Sequence, residues 1–579
     1  MARDSSVARH HSERTGQPAS FPSPDCAALL SSLCSTSKSW LDRSPARIEL
    51  LGRRRGRGPM RGIASPPVVA LQIKAVRRDP DAWTGADLAR LAARIDAFGG
   101  RCCLLAYARS PQETQDNLAW IEACGARALD VVYMTDDTAR AALLYVSGIA
   151  SRAAAGAARR MAVVLTDPAD ARVHEIATGC DGCVARAVPQ SACPDLLCQI
   201  VVGAIVEAAR GQAGDDEARV TPARRRPVVI GYAMRESREL DLARRGLMHM
   251  DVRGGACFAP VAASLDAQAQ RLPFDVVLHK ATDWSTFDSE RNVASLQLPA
   301  YFLSDPPPPL GDDIARVVPL ITRSGIHDAL SELARAGLLG DRLKVPRAWP
   351  LAAAEAESVI FTALPRPLIA KAEVACGTSF AHRMLVLPAA GGSGSADRED
   401  RGNGGRGGRG GGVMQANERA AYRSHLGGLD VLCQDWIHSD GHEIKVYVIG
   451  ERVHVSRRPL PPALQTAGDA GGNAVAFDGA ALPSSAGGVK GGVKGGLGGG
   501  LGEPTAEQRA ALCVAASALR DRLGLSLFGF DCVVDRMDGD RMAIVDVNYF
   551  PSFKQVPRAA HHLRETLVDR AHTLSNARQ

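Results

Sequence analysis

The sequence predicts an α/β protein of more than one domain, and three observations carry that prediction. From about Val68 to Ala213, apolar runs of strand length alternate with helical stretches, the βαβ rhythm of a parallel sheet. A second series opens at Pro227-Val-Val-Ile-Gly-Tyr232, after a polar stretch that ends in Arg224-Arg-Arg226. Near the C-terminus, two strands, Phe530 to Asp535 and Arg541 to Val547, flank Asp538-Gly539, a hairpin signal.

The whole chain bounds the answer before any motif is read. At 579 residues it has room for two to four domains. Its 46% hydrophobic and 23% charged content is ordinary for globular protein. No apolar run has the length of a membrane span, and a net charge of +6 marks neither a nucleic-acid binder nor a protein that would repel a polyanionic small molecule. The 14 cysteines are scattered, often inside apolar runs such as Cys102-Cys103-Leu104-Leu105, as expected of buried reduced thiols. Cys180 and Cys183 have metal-ligand spacing but lack a clear partner pair, so they read as thiols and not as a zinc site.

Residues 1–66 lack apolar periodicity and carry Arg53-Arg-Arg-Gly-Arg57, so they are expected to be a disordered or targeting segment; Asp4 and Glu13 speak against an organelle transit peptide. Residues 67–213 hold strands at Cys103 to Ala106, Val131 to Met134 and Met161 to Leu165, with helices at Ala86 to Ala97 and Asp137 to Val146. Asp167 follows a strand without catalytic partners, which favours a turn or cap role. Residues 214–226 read as a linker. In the second unit, a helix near Glu236 to Gly246 and a strand Phe274 to Leu278 place His279-Lys280 at a strand's carboxyl end, where open α/β sheets bind ligands. Two Gly-rich stretches, 391–412 and 484–502, are expected to be flexible inserts.

The chemistry concentrates in the hairpin. Read as a type I′ turn at Asp538-Gly539, it pairs Met537 with Asp540 and sets Asp531 opposite Asp546. Asn548 shares the face of Asp546, while Cys532, Val545 and Val547 point away. Two carboxylates roughly 5 Å apart at Cβ repel unless a cation lies between them. A divalent metal is the simplest remedy, and an amide oxygen completes a hard donor set suited to Mg²⁺, which implies a nucleotide. Elsewhere, Gly450-Glu451 signals a type II′ hairpin that sets Lys445 against Ser456 and leaves Lys445, Tyr447 and Arg458 on one polar face. Pro367 to Lys371 reads as a short strand ending in a cation before Gly377 and His382.

This set resembles the inositol 1,3,4-trisphosphate 5/6-kinase family, also called inositol-tetrakisphosphate 1-kinases. The likeness runs from Pro227 to Pro557 on Gly231-Tyr232, Arg238, His279-Lys280-Ala-Thr-Asp283, Asp305-Pro306, Arg323-Ser324, Lys371, Gly377, His382, Gln434-Asp-Trp-Ile437, Lys445-Val-Tyr447, Asp531 and Val545-Asp-Val-Asn548-Tyr-Phe-Pro551. It is most similar to the plant-type subgroup, judging by Val374-Ala-Cys-Gly377, Phe528-Gly-Phe-Asp531 and Pro551-Ser-Phe-Lys554.

The resemblance implies an ATP-grasp kinase module over 227–565, a tail at 566–579, and an N-terminal α/β domain of haloacid-dehalogenase-like type. That domain has no Asp-x-Asp motif, so no phosphatase activity is expected of it. By the same resemblance, Arg323, Lys371, the hinge Gln434, Asp435, Trp436 and Ile437, and Arg458 bind ATP; Arg238, Lys280, His382, Lys445 and Ser552 face the substrate; and Asp531, Asp546 and Asn548 hold Mg²⁺. Lys371, His382 and Lys445 form the implied catalytic set. Departures are Arg238 where the family usually has Lys, Ala372 for Pro, Ser439 for His, Pro459-Leu460 for a Ser-containing step, and Ser552 for Gly. The implied activity is transfer of the ATP γ-phosphate to an inositol tris- or tetrakisphosphate by a cytoplasmic monomer that has no nucleic-acid partner. The competing readings are an ATP-grasp carboxylate–amine ligase and a non-catalytic inositol phosphate-binding scaffold.

Overall fold

The structure is a computed structural model that describes residues 68–578, apart from 73–84, 124–129, 135–161, 212–225, 390–409, 468–473, 479–502 and several shorter stretches. The N-terminal segment, the linker, the helix expected at Asp137 to Val146 and most of both Gly-rich stretches therefore lie outside the described residues. Gly410 to Gly412 open a helix, Gly410–His425.

Residues 64–579 belong to one compact unit. Its first layer is a five-stranded sheet in the order Asp130–Met134, Arg101–Tyr107, Val68–Gln72, Ala162–Thr166, Cys183–Ala187, with every pairing parallel. Val68–Gln72 and Ala162–Thr166 are buried at every residue, as central parallel strands must be when both faces are covered. A parallel three-stranded sheet follows, with Val228–Ala233 between Ala256–Pro260 and Val276–His279. The helix Glu236–Arg244 leaves the carboxyl end of its central strand, so Arg238 and Lys280 rise at the same edge.

Two further five-stranded sheets make the C-terminal half. One runs Ala348–Leu351, Val431–Asp435, Leu368–Ala372, Arg383–Leu387, Val475–Asp478, all antiparallel. Its period-two pattern sorts the side chains: Leu368 and Ala370 join the apolar cluster with Ile360 and Tyr422 from its covering helices, whereas Ile369 joins a smaller cluster with Val386 and Leu464. Lys371 belongs to that second face. The other sheet runs Leu343–Lys344, Met542–Tyr549, Leu527–Asp535, Ser439–Ile449, Arg452–Pro459, antiparallel except at its first pair.

Both expected hairpins exist, and one differs in its turn. Ile449 pairs with Arg452 across Gly450-Glu451, and Gly450 has φ 58°, the left-handed value that the first position of a type II′ turn requires. A Cβ on Gly450 would also lie 2.7 Å from Thr566 Oγ1. The Asp538-Gly539 loop is not the two-residue type I′ turn. Gly539 alone of the pair has positive φ, and the last backbone bond before the loop runs from the Asp535 N–H to the Arg541 carbonyl at 2.8 Å. The pairing near the loop is thus one residue out of the expected register, Val534 with Met542 and Cys532 with Ile544. A bulge between Asp531 and Cys532 absorbs Val545 and restores Asp531 opposite Asp546.

The expected tail is also different. The helix Ala559–Arg578 runs through residues 566–578, because Leu567 and Ala571 continue the apolar stripe of Leu563 into the core.

Candidate functional site

The cleft face of one C-terminal sheet meets the acid-bearing face of the other. Lys371 Nζ donates 2.8 Å to Gln434 Oε1 on its own sheet and 3.0 Å to the Val545 carbonyl on the opposing one. The bulge that sets the acids opposite each other therefore also turns out the carbonyl that Lys371 reaches. Arg323, first residue of the helix Arg323–Arg335, sends Nη1 to Asp546 Oδ1 at 2.9 Å and Nη2 to the Ala381 carbonyl at 3.3 Å. Lys445 Nζ lies 2.7 Å from both oxygens of Asp531.

These contacts correct one step of the sequence argument. The facing carboxylates are each already met by a cation, so their repulsion does not by itself demand a metal. Their protonation is nevertheless unequal. Burial pushes Asp531 up to about 7, with help from Glu443 and Asp546 and against the pull of Lys445. Asp546 is also pushed up by burial, but Arg323 and Lys371 outweigh that and hold it below its ordinary value. Lys371 is lowered to about 8 by burial and by Arg323, whereas Asp531 and Glu443 overcome burial to raise Lys445.

Glu443 is the residue that the sequence reading missed. It is buried, shares the face of Lys445 two positions away, and accepts from Arg458 Nε. Alternation along Glu443-Ile-Lys-Val-Tyr447 was the available signal. Three basic side chains, Arg323, Lys445 and Arg458, thus pair with three acids, Asp546, Asp531 and Glu443, and Lys371 stands beside them on neutral acceptors.

The donor set fits a hard dication. Asp531 and Asp546 are partners across the strands, and Asn548 is close enough for its Nδ2 to lie 3.4 Å from Asp546 Oδ2, so its amide stands beside the pair. The raised Asp531 is a carboxyl that added positive charge would return to its anionic form. Glu443 does not close on the pair: among the described residues, the cluster of three His, Cys, Asp or Glu ligand atoms within 4.8 Å is His561, His562 and Glu565, on the C-terminal helix.

The expected substrate cations gather at the next residues of the same strand. Lys280 Nζ donates to the Tyr549 carbonyl and Arg238 Nη2 to the Phe550 carbonyl, with the Arg238 guanidinium 4.8 Å over the Phe550 ring. Neither meets a carboxylate within 4.0 Å among the described residues. Burial, then Arg238, lowers Lys280 to about 7; burial also lowers Arg238. The Ser552 carbonyl accepts from Arg245 at 2.6 Å. Phe550 and Phe553, both buried, have φ of 40° and 50°, a region that costs a bulky residue energy and that surrounding contacts must hold.

Other expected residues stand apart from these contacts. His382 is exposed beside Ala381. In the hinge, Asp435 turns to Arg347, at 2.8 Å from Nε, while Trp436 packs at the edge of the Ile369, Val386 and Leu464 cluster and Ile437 is half-buried. Cavities of about 290 and 350 Å³, lined by residues such as Gly325 and Asp328 or Val453 and His562, include none of the expected site residues. Lys371 and Arg323 close the two sheets on each other.

Residues 428–569 match the model of the inositol 1,3,4-trisphosphate 5/6-kinase ATP-grasp domain. Over 350 residues the chain is 26% identical to inositol-tetrakisphosphate 1-kinase 6 of Oryza sativa subsp. indica, covering 57% of each protein. It is 27% identical to inositol-tetrakisphosphate 1-kinase 1 of Zea mays over 337 residues, 57% of this chain and 84% of the maize protein. With inositol-tetrakisphosphate 1-kinase 5 of Oryza sativa subsp. japonica it shares 27% over 356 residues, 59% of this chain and 90% of that one. The matched region thus spans little more than half of the first of these relatives. The stretch that matches the inositol 1,3,4-trisphosphate 5/6-kinase ATP-grasp domain, residues 428–569, carries Gln434, Lys445, Asp531, Asp546 and Asn548.

Proposed function

We propose that this protein is an ATP-dependent inositol polyphosphate kinase that moves the γ-phosphate of ATP to a hydroxyl of an inositol tris- or tetrakisphosphate. One observation carries the reading. The strand Met542–Tyr549 brings a carboxylate and an amide for a metal, Asp546 and Asn548, and then runs straight into Tyr549 and Phe550, where Lys280 and Arg238 have no carboxylate partner among the described residues. Half-buried cations held against backbone carbonyls await an anion, and phosphate esters supply several negative charges and strong acceptor oxygens.

In this reading, adenine lies by Gln434 to Ile437 against the apolar face of Ile369, Val386 and Leu464. Arg323, Lys371 and Arg458 hold the triphosphate. Mg²⁺, held by Asp531, Asp546 and Asn548, supplies charge neutralisation for the phosphates when bound. Lys445 leaves Asp531 for a phosphate group, which its pairing permits because a lysine is a mobile point charge. Arg238, Lys280, His382 and Ser552 orient the inositol phosphate. Phosphoryl transfer asks the protein mainly for position and charge, and these residues offer both.

The test is Mg-ATP turnover by the full chain with a panel of inositol phosphates and NMR analysis of products. Release of ADP that depends on an inositol tris- or tetrakisphosphate, with a new phosphate ester on the ring, is expected. Binding of inositol phosphates without ADP release would point to the scaffold. ADP and inorganic phosphate formed only with a carboxylate and an amine would point to the ligase.

A further inference from the structure

The helix Glu236–Arg244 is held from two sides. Toward the candidate site, Arg238 grips the Phe550 carbonyl and ring, and Arg245, just past the helix, grips the Ser552 carbonyl. Away from it, Glu239 is 2% exposed and gives both oxygens to Arg94, which comes from the helix Gly85–Ala97 of the N-terminal sheet layer. The fork is bidentate, with Nε 2.5 Å from Oε1 and Nη2 2.9 Å from Oε2. Arg94 Nη1 reaches Asp195 Oδ1 at 2.5 Å, in the first turn of the helix Pro194–Gly211. The Tyr232 hydroxyl donates 2.7 Å to Glu239 Oε1, and Phe98 stacks on the Tyr232 ring at 5.8 Å.

Successive residues of a helix point about 100° apart, so one turn presents Arg238 to the site and Glu239 to the N-terminal layer. A buried ion pair fixes geometry when its lone pairs and N–H groups are all used in one arrangement. Here the arrangement spans 145 residues of chain. What it fixes is next to a strained loop: Phe550 and Phe553 have φ of 40° and 50°, a conformation that surrounding contacts must hold. That loop begins two residues after Asn548.

We propose that Arg94 is a positioning residue for the substrate end of the site. Through Glu239 it sets the orientation of the 236–244 helix, hence of Arg238 and Arg245, and so of the loop 550–552. The N-terminal layer thereby contributes to recognition of the phosphorylated substrate without lining its site. The identity of that substrate rests on the kinase reading; the coupling itself does not.

Two variants test it. Arg94→Lys keeps the charge and loses the fork, and Arg94→Met combined with Glu239→Leu removes both buried charges, leaving the partly exposed Asp195 to water and the Tyr232 hydroxyl without its acceptor. In each, KM for the inositol phosphate is expected to rise on the order of tenfold, while KM for ATP stays within about twofold, because a misplaced contact acts on the group that it positions. Amide hydrogen exchange at residues 549–553 is expected to quicken along with that at 236–245. Lowered thermal stability with unchanged KM values and unchanged exchange at 549–553 would reduce Arg94 to a structural strut and overturn the proposal. If Arg94→Lys fails to fold, the double variant decides. If the unaltered protein turns over no inositol phosphate, the kinase reading fails, and the exchange comparison still decides the coupling.

Discussion

Asp531 stands opposite Asp546 because Val545 is bulged out of the strand between Ile544 and Asp546. Without that extra residue, the register set near the loop would place Asp531 against Val545. The bulge thus makes the acid pair and frees the carbonyl that Lys371 holds at 3.0 Å. One irregularity in one strand joins the acids of one sheet to the cation of the other.

Asp546→Asn should leave a folded protein with kcat reduced on the order of 100-fold or more, since it weakens the proposed metal ligand and releases the buried Arg323 from its carboxylate. Asp546→Ala should in addition destabilise by about 3–5 kcal/mol, the usual consequence of stranding a buried charge. Steady-state rates and urea melts check the two effects separately, and near-normal turnover in Asp546→Asn would contradict the metal assignment.

Lys445→Ala is expected to raise KM for the inositol phosphate by roughly 10- to 100-fold, the worth of a charge-assisted hydrogen bond. Binding of ATP should change by much less. Isothermal titration with each ligand separates them, and an equal loss for both would assign Lys445 to the nucleotide instead.

Gly377 cannot accept a side chain. Its φ is 84°, and a Cβ would lie 2.6 Å from the Ser285 Cβ and 2.7 Å from the Ser285 carbonyl oxygen. Gly377→Ala should therefore cost about 1–3 kcal/mol. A thermal midpoint equal to that of the parent protein would show that this loop relaxes freely.

Burial lowers His279 to about 4, and it sits neutral with Nε2 2.7 Å from the Asp312 carbonyl. Its folded value lies below its unfolded one, so the unfolded state binds more protons as the pH drops. The stability that neutral His279 contributes is complete above its unfolded pKa of about 6.5 and is lost as the pH falls from there toward 4. The change should reach about 3 kcal/mol over that window. His249, also lowered to about 4 by burial, adds a slope of the same sign. Urea melts at several pH values should show a shallower slope in His279→Gln, and an unaltered slope would assign the acid sensitivity elsewhere.

Much of the site is visible in short stretches of sequence because strand alternation is a property of consecutive residues. It places Asp546 and Asn548 on one face, Lys445 opposite Ser456 and Lys371 at a strand's end, and it would have shown Glu443 as well. The turn chemistry of Asp538-Gly539 misleads, since Asp-Gly marks a turn without stating its length; the expected facing of the acids survived only because the bulge offset the shifted loop. The tail was misjudged for a related reason: the burial of Leu567 and Ala571 depends on what the helix lies against.

The sequence by itself determined the α/β class, the likeness to inositol phosphate kinases through the ordered motifs between Lys371 and Pro551, and the residue types that gather at the cleft. Tertiary structure alone decided which charge meets which across distant elements: Lys445 with Asp531, Arg323 with Asp546, and Arg94 with Glu239. The reason is physical. Local geometry repeats every two or 3.6 residues and can be read along the chain, whereas a buried ion pair forms only when distant elements are packed into one core, and its partner is set by that packing.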